Sequence, residues 1–183
     1  MPTVLSFQSH FWILVFMISY YRNNCDKLSN IKAKISKVLA PIDGSELSMD
    51  AADYAVLIAK QNNAQLIALH VIRSEEAYQY ASNPTEVVTP TSVDSMVQKV
   101  TQDSQKWFDT IEQKSKANNV QLKTDIMVSP NSTAGTIVDY AEREGIDLIV
   151  LGTRGRSGFK KLLLGSTASD VTAYAHCPVM IIR

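Results

Sequence analysis

The sequence predicts an α/β fold: a doubly wound, five-stranded parallel sheet flanked by helices. Two observations lead to this prediction. Short apolar runs of strand length alternate with longer segments that carry apolar residues at helical spacing. Strands that alternate with helices need crossover connections, which are right-handed and make the strands parallel. The chain has 183 residues, 45% of them hydrophobic, which suits one packed domain with an appendage.

The first part of the predicted sheet is a strand, a helix and a second strand. Lys37–Ile42 and Gln65–Ile72 are apolar runs of the kind that forms buried strands. Between them, apolar residues recur on one face of a predicted helix. These residues are Leu47, Ala51, Ala55, Ile58 and Ala59.

A long loop and a long helix come next. Ser74–Ser92 contains Asn83-Pro84 and Thr89-Pro90 and has little apolar periodicity, so it is predicted to be a loop. A loop of this length is uncommon inside a compact domain, and two interpretations stay open: a solvated insert, or a lid over a ligand. The amphipathic helix after it is marked by Val93, Met96, Val97, Val100, Trp107, Phe108 and Ile111.

The remaining elements continue the alternation of strands and helices. They are a strand at Gln121–Val128, a helix carrying Ile137, Val138 and Ala141, a strand at Leu148–Leu151, a helix at Ser166–Ala175 and a strand at Val179–Ile182. The final strand is short, apolar and C-terminal. As an edge strand it would expose unpaired backbone groups, so we expect a second chain to cover it.

The most specific motif lies between the fourth strand and the last helix. Gly152-Thr153-Arg154-Gly155 is followed by nine residues and then by Gly165-Ser166-Thr167. Gly152 falls at the carboxyl end of a strand, where open α/β sheets bind ligands. Glycines allow positive φ and close backbone approach, and a helix N-terminus adds open N–H donors. The motif therefore predicts a phosphate site, although each glycine alone is more typical of a plain turn or cap.

This spacing is neither a Walker loop nor the Rossmann fingerprint. It resembles the G-x-x-G-x9-G-[S/T] signature of the ATP-binding branch of the universal stress protein family. The resemblance covers residues 35–183 and includes the Pro-x-Asp end of the first strand, Pro41-Ile42-Asp43. One departure lies at Val128–Ser132, where the family usually has a glycine in a shorter turn.

The resemblance implies an adenine nucleotide α-hydrolase-like fold and a set of ATP-binding residues. Pro41 and Val71 resemble positions that wall the adenine, although both would also suit a plain core. The resemblance places Asp43 beside the ribose and phosphates, where its carboxylate could hold Mg²⁺ or Mn²⁺. The implied phosphate residues are Gly152, Arg154, Gly155, Gly165, Ser166 and Thr167.

Several of these residues also have simpler interpretations. Asp43 before a glycine is commonly a turn-forming residue, and Thr167 could cap the helix instead of contacting phosphate. A basic run surrounds the glycine loop, comprising Arg154, Arg156, Lys160 and Lys161, and such runs usually form a solvated face. Its position beside an anion site favours one of them screening the γ-phosphate. His70 and His176 are expected to be structural.

Two classes of function follow from the motif and the resemblance. One is a nucleotide-responsive regulatory or stress-response module whose dimer shape or choice of partner changes on binding ATP. The other is an enzyme of the same fold, a slow ATPase or an ATP pyrophosphatase. The sequence shows no activated nucleophile paired with a base, which favours binding with at most weak ATP hydrolysis. The resemblance further implies a homodimer paired antiparallel through the last strand.

The charge balance argues against a nucleic-acid partner, and the cysteine content indicates the cellular compartment. Basic and acidic residues number 18 each, so no overall basic field would recruit nucleic acid. Cys25 and Cys177 lack metal-ligand spacing, which predicts reduced thiols in a cytoplasmic protein.

Residues 1–34 form a predicted extension in front of the domain at 35–183. No charged residue occurs from Met1 to Tyr21, yet the compact apolar core of this stretch, residues 11–18, is short of the ~20 residues that a membrane-spanning helix needs. Three interpretations stay open for residues 5–21: a disordered or mis-assigned extension, a membrane-anchoring or peripheral segment, and an ordered part of the fold. The residues after them read as a polar linker.

Overall fold

The computed structural model describes residues 34–73, 90–129, 132–155 and 164–183; within the second helix, side chains are described at Gln102 and from Ser104 onward. In these ranges five strands alternate with four helices. In chain order they are β1 (Lys37–Pro41), α1 (Glu46–Asn62), β2 (Gln65–Arg73), α2 (Pro90–Ala117), β3 (Leu122–Ser129), α3 (Thr133–Glu144), β4 (Leu148–Gly152), α4 (Ser166–Tyr174) and β5 (Val179–Ile182).

The strands form one sheet in the order β3-β2-β1-β4-β5. Every pairing is parallel; Val38 of β1, for example, is in register with Leu66 on one side and with Leu148 on the other. The predicted doubly wound sheet of five parallel strands is confirmed. The order reverses between β1 and β4, and this is the point at which sheets of this kind open a crevice for ligands.

Two hydrophobic layers cover the faces of the sheet because side chains alternate along each strand. Val38 and Ala40 of β1 face the layer that contains α1 and α2, whereas Leu39 between them packs with α3 and α4. All three residues are fully buried. β1 therefore needs apolar residues on both faces, which explains its unbroken apolar sequence.

Small residues let α1 lie close to the sheet. Ala51, Ala55 and Ala59 of the predicted apolar face are fully buried, whereas Leu47 and Ile58 are only half-buried. The helix begins after Ser45, whose Oγ accepts a hydrogen bond from the backbone N–H of Ser48 at 3.3 Å. The position of α1 at the crevice thus follows from a capping serine and a row of alanines.

The boundaries differ from the prediction at the long loop. The predicted loop extended to Ser92, but α2 already begins at Pro90. Proline suits the first position of a helix because its φ is helical and its missing N–H would have no helical partner there. Residues 74–89 lie outside the described residues, as do the side chains of Val93, Met96, Val97 and Val100. Phe108 and Ile111 are buried as predicted.

The predictions for the N-terminal extension lie outside the described residues, including the apolar stretch 5–21 and Cys25. Within the ranges that are described, no helix is both long and apolar enough to cross a membrane.

Candidate functional site

A pocket of about 380 Å³ opens at the carboxyl edge of the sheet. Its wall is built from the ends of β1, β2 and β4 and from the first turns of α3 and α4. The structure brings all nine binding residues proposed from the sequence into this one pocket. They are Pro41, Asp43, Val71, Gly152, Arg154, Gly155, Gly165, Ser166 and Thr167.

The turn after β1 fixes the carboxylate of Asp43. Gly44 has a φ of 78° and reverses the chain. Oδ1 of Asp43 accepts hydrogen bonds from the N–H of Ser45 at 3.0 Å and from the Oγ of Ser45 at 2.6 Å. Asp43 therefore does hold the turn, and its Oδ2 lies against Gly155 of the glycine loop. The turn-forming role does not keep the carboxylate away from the pocket.

The glycines Gly152 and Gly155 of the motif allow neighbouring segments of the chain to pack closely, and they do not adopt unusual backbone angles. The sequence allowed for positive φ at these positions, but the described glycines with positive φ are Gly44 and Gly145. A Cβ at Gly152 would lie 2.8 Å from the carbonyl oxygen of Leu47 in α1. A Cβ at Gly155 would collide with the Asp43 carboxylate. Both glycines therefore let the loop after β4 come close to α1 and to the turn after β1.

The start of α4 supplies backbone donors to the pocket. Gly165 is the N-cap residue and provides no side-chain hydrogen bond to the helix. Its own N–H donates to the carbonyl of Thr153 at 2.7 Å, which ties the helix start to the end of β4. Ser166 and Thr167 follow in the first turn and line the pocket. Because Gly165 is the N-cap residue, Thr167 is not the cap, and the positive end of the helix faces the pocket.

Part of the pocket wall is apolar. Pro41 and Val71, which are half-buried, line the pocket together with the buried Leu69 and Ile137. His70 is buried, and its Nδ1 lies 2.7 Å from the carbonyl oxygen of Ile42. Its ring also meets the Trp107 ring edge-on, with 5.3 Å between the centroids. These contacts match the structural role predicted for His70, although the residue also lines the pocket.

Sequence reasoning missed several residues of the pocket wall. Thr153 lies inside the phosphate motif, Asp170 follows it in α4, and Ser132 and Thr133 belong to the start of α3. Ser132 had a detectable signal, because a serine three residues before Gly135 at the start of a helix is typical of an N-cap, and its Oγ does accept from the Gly135 N–H at 3.2 Å. Arg73, at the end of β2, had no signal, since only the folded sheet brings it to the pocket. Residues 156–163, which include the rest of the basic run, lie outside the described residues.

Tyr140 and Cys177 have shifted pKa values and lie outside the pocket. Burial raises the pKa of Tyr140 on α3, and the hydrogen bond that its hydroxyl donates to Asp125 at 2.9 Å raises it further. Burial also raises the pKa of the Cys177 thiol, which packs against the hydrophobic cluster that contains α3 and α4. The folded protein therefore favours the neutral thiol of Cys177, which stands just before β5.

The described residues contain no group of three or more histidine, cysteine, aspartate or glutamate side chains that could hold a metal ion. Asp43 therefore suits a divalent cation only where other oxygens complete the coordination. Mg²⁺ commonly binds in this way, through one or two carboxylates and the phosphates of a substrate.

Comparisons with known proteins point to one family. The sequence model described as Universal stress protein family matches residues 34–183. Universal stress protein YxiE of Bacillus subtilis (strain 168) is 35% identical over 150 residues, which span 81% of this chain and 99% of that protein. Universal stress protein UspA from Lactobacillus plantarum has a similar structure, with a TM-score of 0.63, 29% identity and coverage of 82% of this chain and 99% of that one.

Two solved structures with this fold contain adenine nucleotides. A universal stress protein in complex with cAMP has a TM-score of 0.56 and 23% identity. The match covers 82% of this chain and 98% of that protein's chain. The universal stress protein from Archaeoglobus fulgidus in complex with dAMP has the same TM-score at 17% identity, with coverage of 81% and 98%. At these sequence identities, the similarity shows only that the fold is shared.

Proposed function

Since this chain belongs to the universal stress protein family, we propose that it is an ATP-binding regulatory module of that family. Its output is a change in dimer shape or in the choice of partner when nucleotide binds. One observation carries the proposal: residues as far apart in sequence as Pro41 and Thr167 line a single pocket at the switch point of the sheet. The cAMP and dAMP complexes of other family members support an adenine nucleotide as the ligand.

The apolar residues and the backbone donors of the pocket wall suggest how ATP lies in it. The adenine packs on the hydrocarbon surface of Pro41 and Val71, and the phosphates lie at the glycine loop and the start of α4. Open N–H donors and the positive helix end stabilise negative charge there. Arg154, which also lines the pocket, adds a positive side chain beside the phosphates.

Mg²⁺ or Mn²⁺ would be held jointly by the phosphates and Asp43. The carboxylate lies at the edge of the pocket next to Gly155, where it can reach a cation bound to the phosphate chain. The cation would supply positive charge that neutralises the phosphates. Metal binding is therefore expected to depend on nucleotide.

ATP is expected to act as a switch ligand that is turned over slowly or not at all. Phosphoryl transfer needs a group that orients the attacking water in line with the γ-phosphate. Among the described residues of the pocket wall, Asp43 already bonds Ser45, and His70 has its Nδ1 at a backbone carbonyl. Asp170, which the sequence did not suggest, also lines the pocket and is the observation that favours the alternative, a slow ATPase or ATP pyrophosphatase.

We also propose a homodimer built through β5, which forms one edge of the sheet. Next to it is an apolar groove of about 540 Å³. Tyr54 and Leu57 on its α1 side are 51% and 50% exposed, and Met180 of β5 is 39% exposed. Large apolar side chains beside an open strand edge are typical of a surface that a second chain covers.

The substitution Gly165→Val tests the phosphate site. A Cβ at this position lies 3.2 Å from the carbonyl oxygen of Thr153, so a branched side chain would fill the space in front of the helix start. ATP affinity measured by calorimetry is expected to fall at least about tenfold, as for the loss of one or more charged hydrogen bonds. The matched control is Gly135→Ala on α3, where a Cβ makes ordinary contacts at 3.6 Å. Equal ATP affinity of the wild type and Gly165→Val would rule out the proposed cradle.

A further inference from the structure

Trp107 of α2 lies directly against the turn that carries Asp43. A Cβ at Gly44 would collide with three atoms of the indole ring, so the ring packs on the backbone of Gly44 itself. Gly44 also has a φ of 78°, so glycine is required there for two separate reasons. No described side chain of α2 lines the pocket, and the contact with Gly44 joins this helix to the turn at the pocket edge.

The same ring also acts on the other side of Asp43, through His70. The Trp107 and His70 rings meet edge-on with 5.3 Å between their centroids, and Nδ1 of His70 lies 2.7 Å from the carbonyl oxygen of Ile42. Ile42 and Gly44 are the two chain neighbours of Asp43. Trp107 and His70 therefore hold the backbone before and after the residue whose carboxylate faces the pocket.

The packing of α2 on the sheet does not by itself account for this contact. Phe108 and Ile111 are 4% and 1% exposed, and they already anchor α2 in the hydrophobic layer that it shares with α1. Trp107 is only half-buried and packs at the margin of that layer. Groups that hold a metal ion need surrounding contacts that fix their position, and the ring supplies such a contact to the turn of Asp43.

We infer that Trp107 is a positioning residue, which keeps the carboxylate of Asp43 where a cation bound to the phosphates can reach it. This inference rests on the proposed function, in which Asp43 and the phosphates hold Mg²⁺ together. Trp107 does not line the pocket, so its effect on ATP passes through the turn. Loss of the ring should therefore weaken only the part of the ATP affinity that depends on Mg²⁺.

Calorimetric titration of the full chain with ATP, once with Mg²⁺ and once with EDTA, measures this part separately. Trp107→Leu is expected to weaken ATP binding about tenfold with Mg²⁺, as for the loss of an outer contact to a metal ligand, and to leave it unchanged in EDTA. Trp107→Phe keeps an aromatic ring and should restore most of the affinity. Trp107→Met takes the place of Trp107→Leu if that variant does not fold.

Phe108→Leu is the matched control on the same helix. It makes a buried core side chain smaller, so it should lower the thermal midpoint. Because Phe108 belongs to the core cluster and does not line the pocket, both ATP affinities should stay at the wild-type values. If Phe108→Leu loses Mg²⁺-dependent affinity as strongly as Trp107→Leu, the effect is general destabilisation and the inference is wrong.

The other outcomes distinguish this inference from the proposed function. If the wild type binds ATP more tightly with Mg²⁺ and Trp107→Leu does so equally, the inference is wrong while the proposed function stands. Equal losses of affinity with Mg²⁺ and in EDTA would also overturn it, because the whole pocket would then have changed. A wild type that binds ATP without any gain from Mg²⁺ would remove the metal site and this inference but keep ATP binding. A wild type that binds no ATP would overturn the proposed function as well.

Discussion

Asp43 has two tasks in this structure, and its two carboxylate oxygens divide them. Oδ1 accepts hydrogen bonds from Ser45 and so holds the turn that starts α1, while Oδ2 lies next to the glycine loop. Asparagine also forms this type of turn. Replacing Asp43 by asparagine should therefore keep the turn and remove only the negative charge from the pocket.

Asp43→Asn is expected to leave the thermal midpoint nearly unchanged and to abolish the gain in ATP affinity that Mg²⁺ gives the wild type. Calorimetry with Mg²⁺ and with EDTA measures this gain in both proteins. Phosphate release by the wild type is expected to be far below the ~1–10³ s⁻¹ typical of enzymes. Release at about 1 s⁻¹ or faster that Asp43→Asn abolishes would instead promote the enzyme hypothesis.

Tyr140 gives the stability of the domain a dependence on alkaline pH. Its pKa is raised above the ordinary 10.0, mainly by burial. The folded state therefore favours the neutral phenol, which contributes stability in full below pH 10 and loses it as the pH rises through the folded-state pKa. The thermal midpoints of the wild type and Tyr140→Phe, measured from neutral pH upward, should converge at high pH. Parallel curves would contradict this assignment.

Individual residues also mark the limit of what could be predicted from the sequence. The motif identified Gly152 as a pocket residue, but the positive φ that it allowed for there does not occur. The close contact with the carbonyl of Leu47, about a hundred residues earlier, could not be predicted from the motif. Thr153 stands inside the motif, yet the burial of its hydroxyl follows only from the packing of β4 against its neighbours. A sequence motif does not show which residues from distant parts of the chain will contact it.

At the scale of elements, strands were easier to predict than connections. The predicted strand limits differ from the observed ones by a single residue at most at each end. The inner strands β1, β2 and β4 are mostly buried and apolar, which makes them easy to recognise. The start of α2 was missed because the prolines near it suggested a loop, whereas Pro90 stands at the first helical position. Proline is typical both of loops and of the first position of a helix, so it does not by itself distinguish the two.

The two edge strands allow a controlled test of the proposed dimer. Met180→Lys places a charge on β5 and is expected to convert a dimer into a monomer at micromolar concentration, as measured by light scattering. Val128→Lys is the matched control, since Val128 is 46% exposed on β3 at the opposite edge of the sheet. The control should stay dimeric. A wild type that is monomeric under these conditions would defeat the proposal.

At the scale of the whole molecule, residues 34–183 form one compact unit by themselves. The start of this unit is tied to its interior, because the N–H groups of Ser36 and Lys37 donate to Oδ2 of Asp147 at 2.7 and 2.9 Å. A chain that begins at Lys34 keeps both bonds. We expect it to retain the thermal midpoint and the ATP affinity of the full chain, by scanning calorimetry and titration; a large loss of stability would show that residues 1–33 are needed for folding.

The hydrogen bond from the N–H of Thr153 to the carbonyl of Ile182 joins the wall of the pocket to the edge strand β5. One side of this bond is where nucleotide is proposed to bind, and the other is where a second copy is proposed to pair. We therefore expect the two equilibria to be thermodynamically linked. Whatever factor nucleotide applies to the dimer association constant, dimerisation must apply to the nucleotide association constant. Dilution of the protein would thereby act on its affinity for nucleotide with no ligand added or removed.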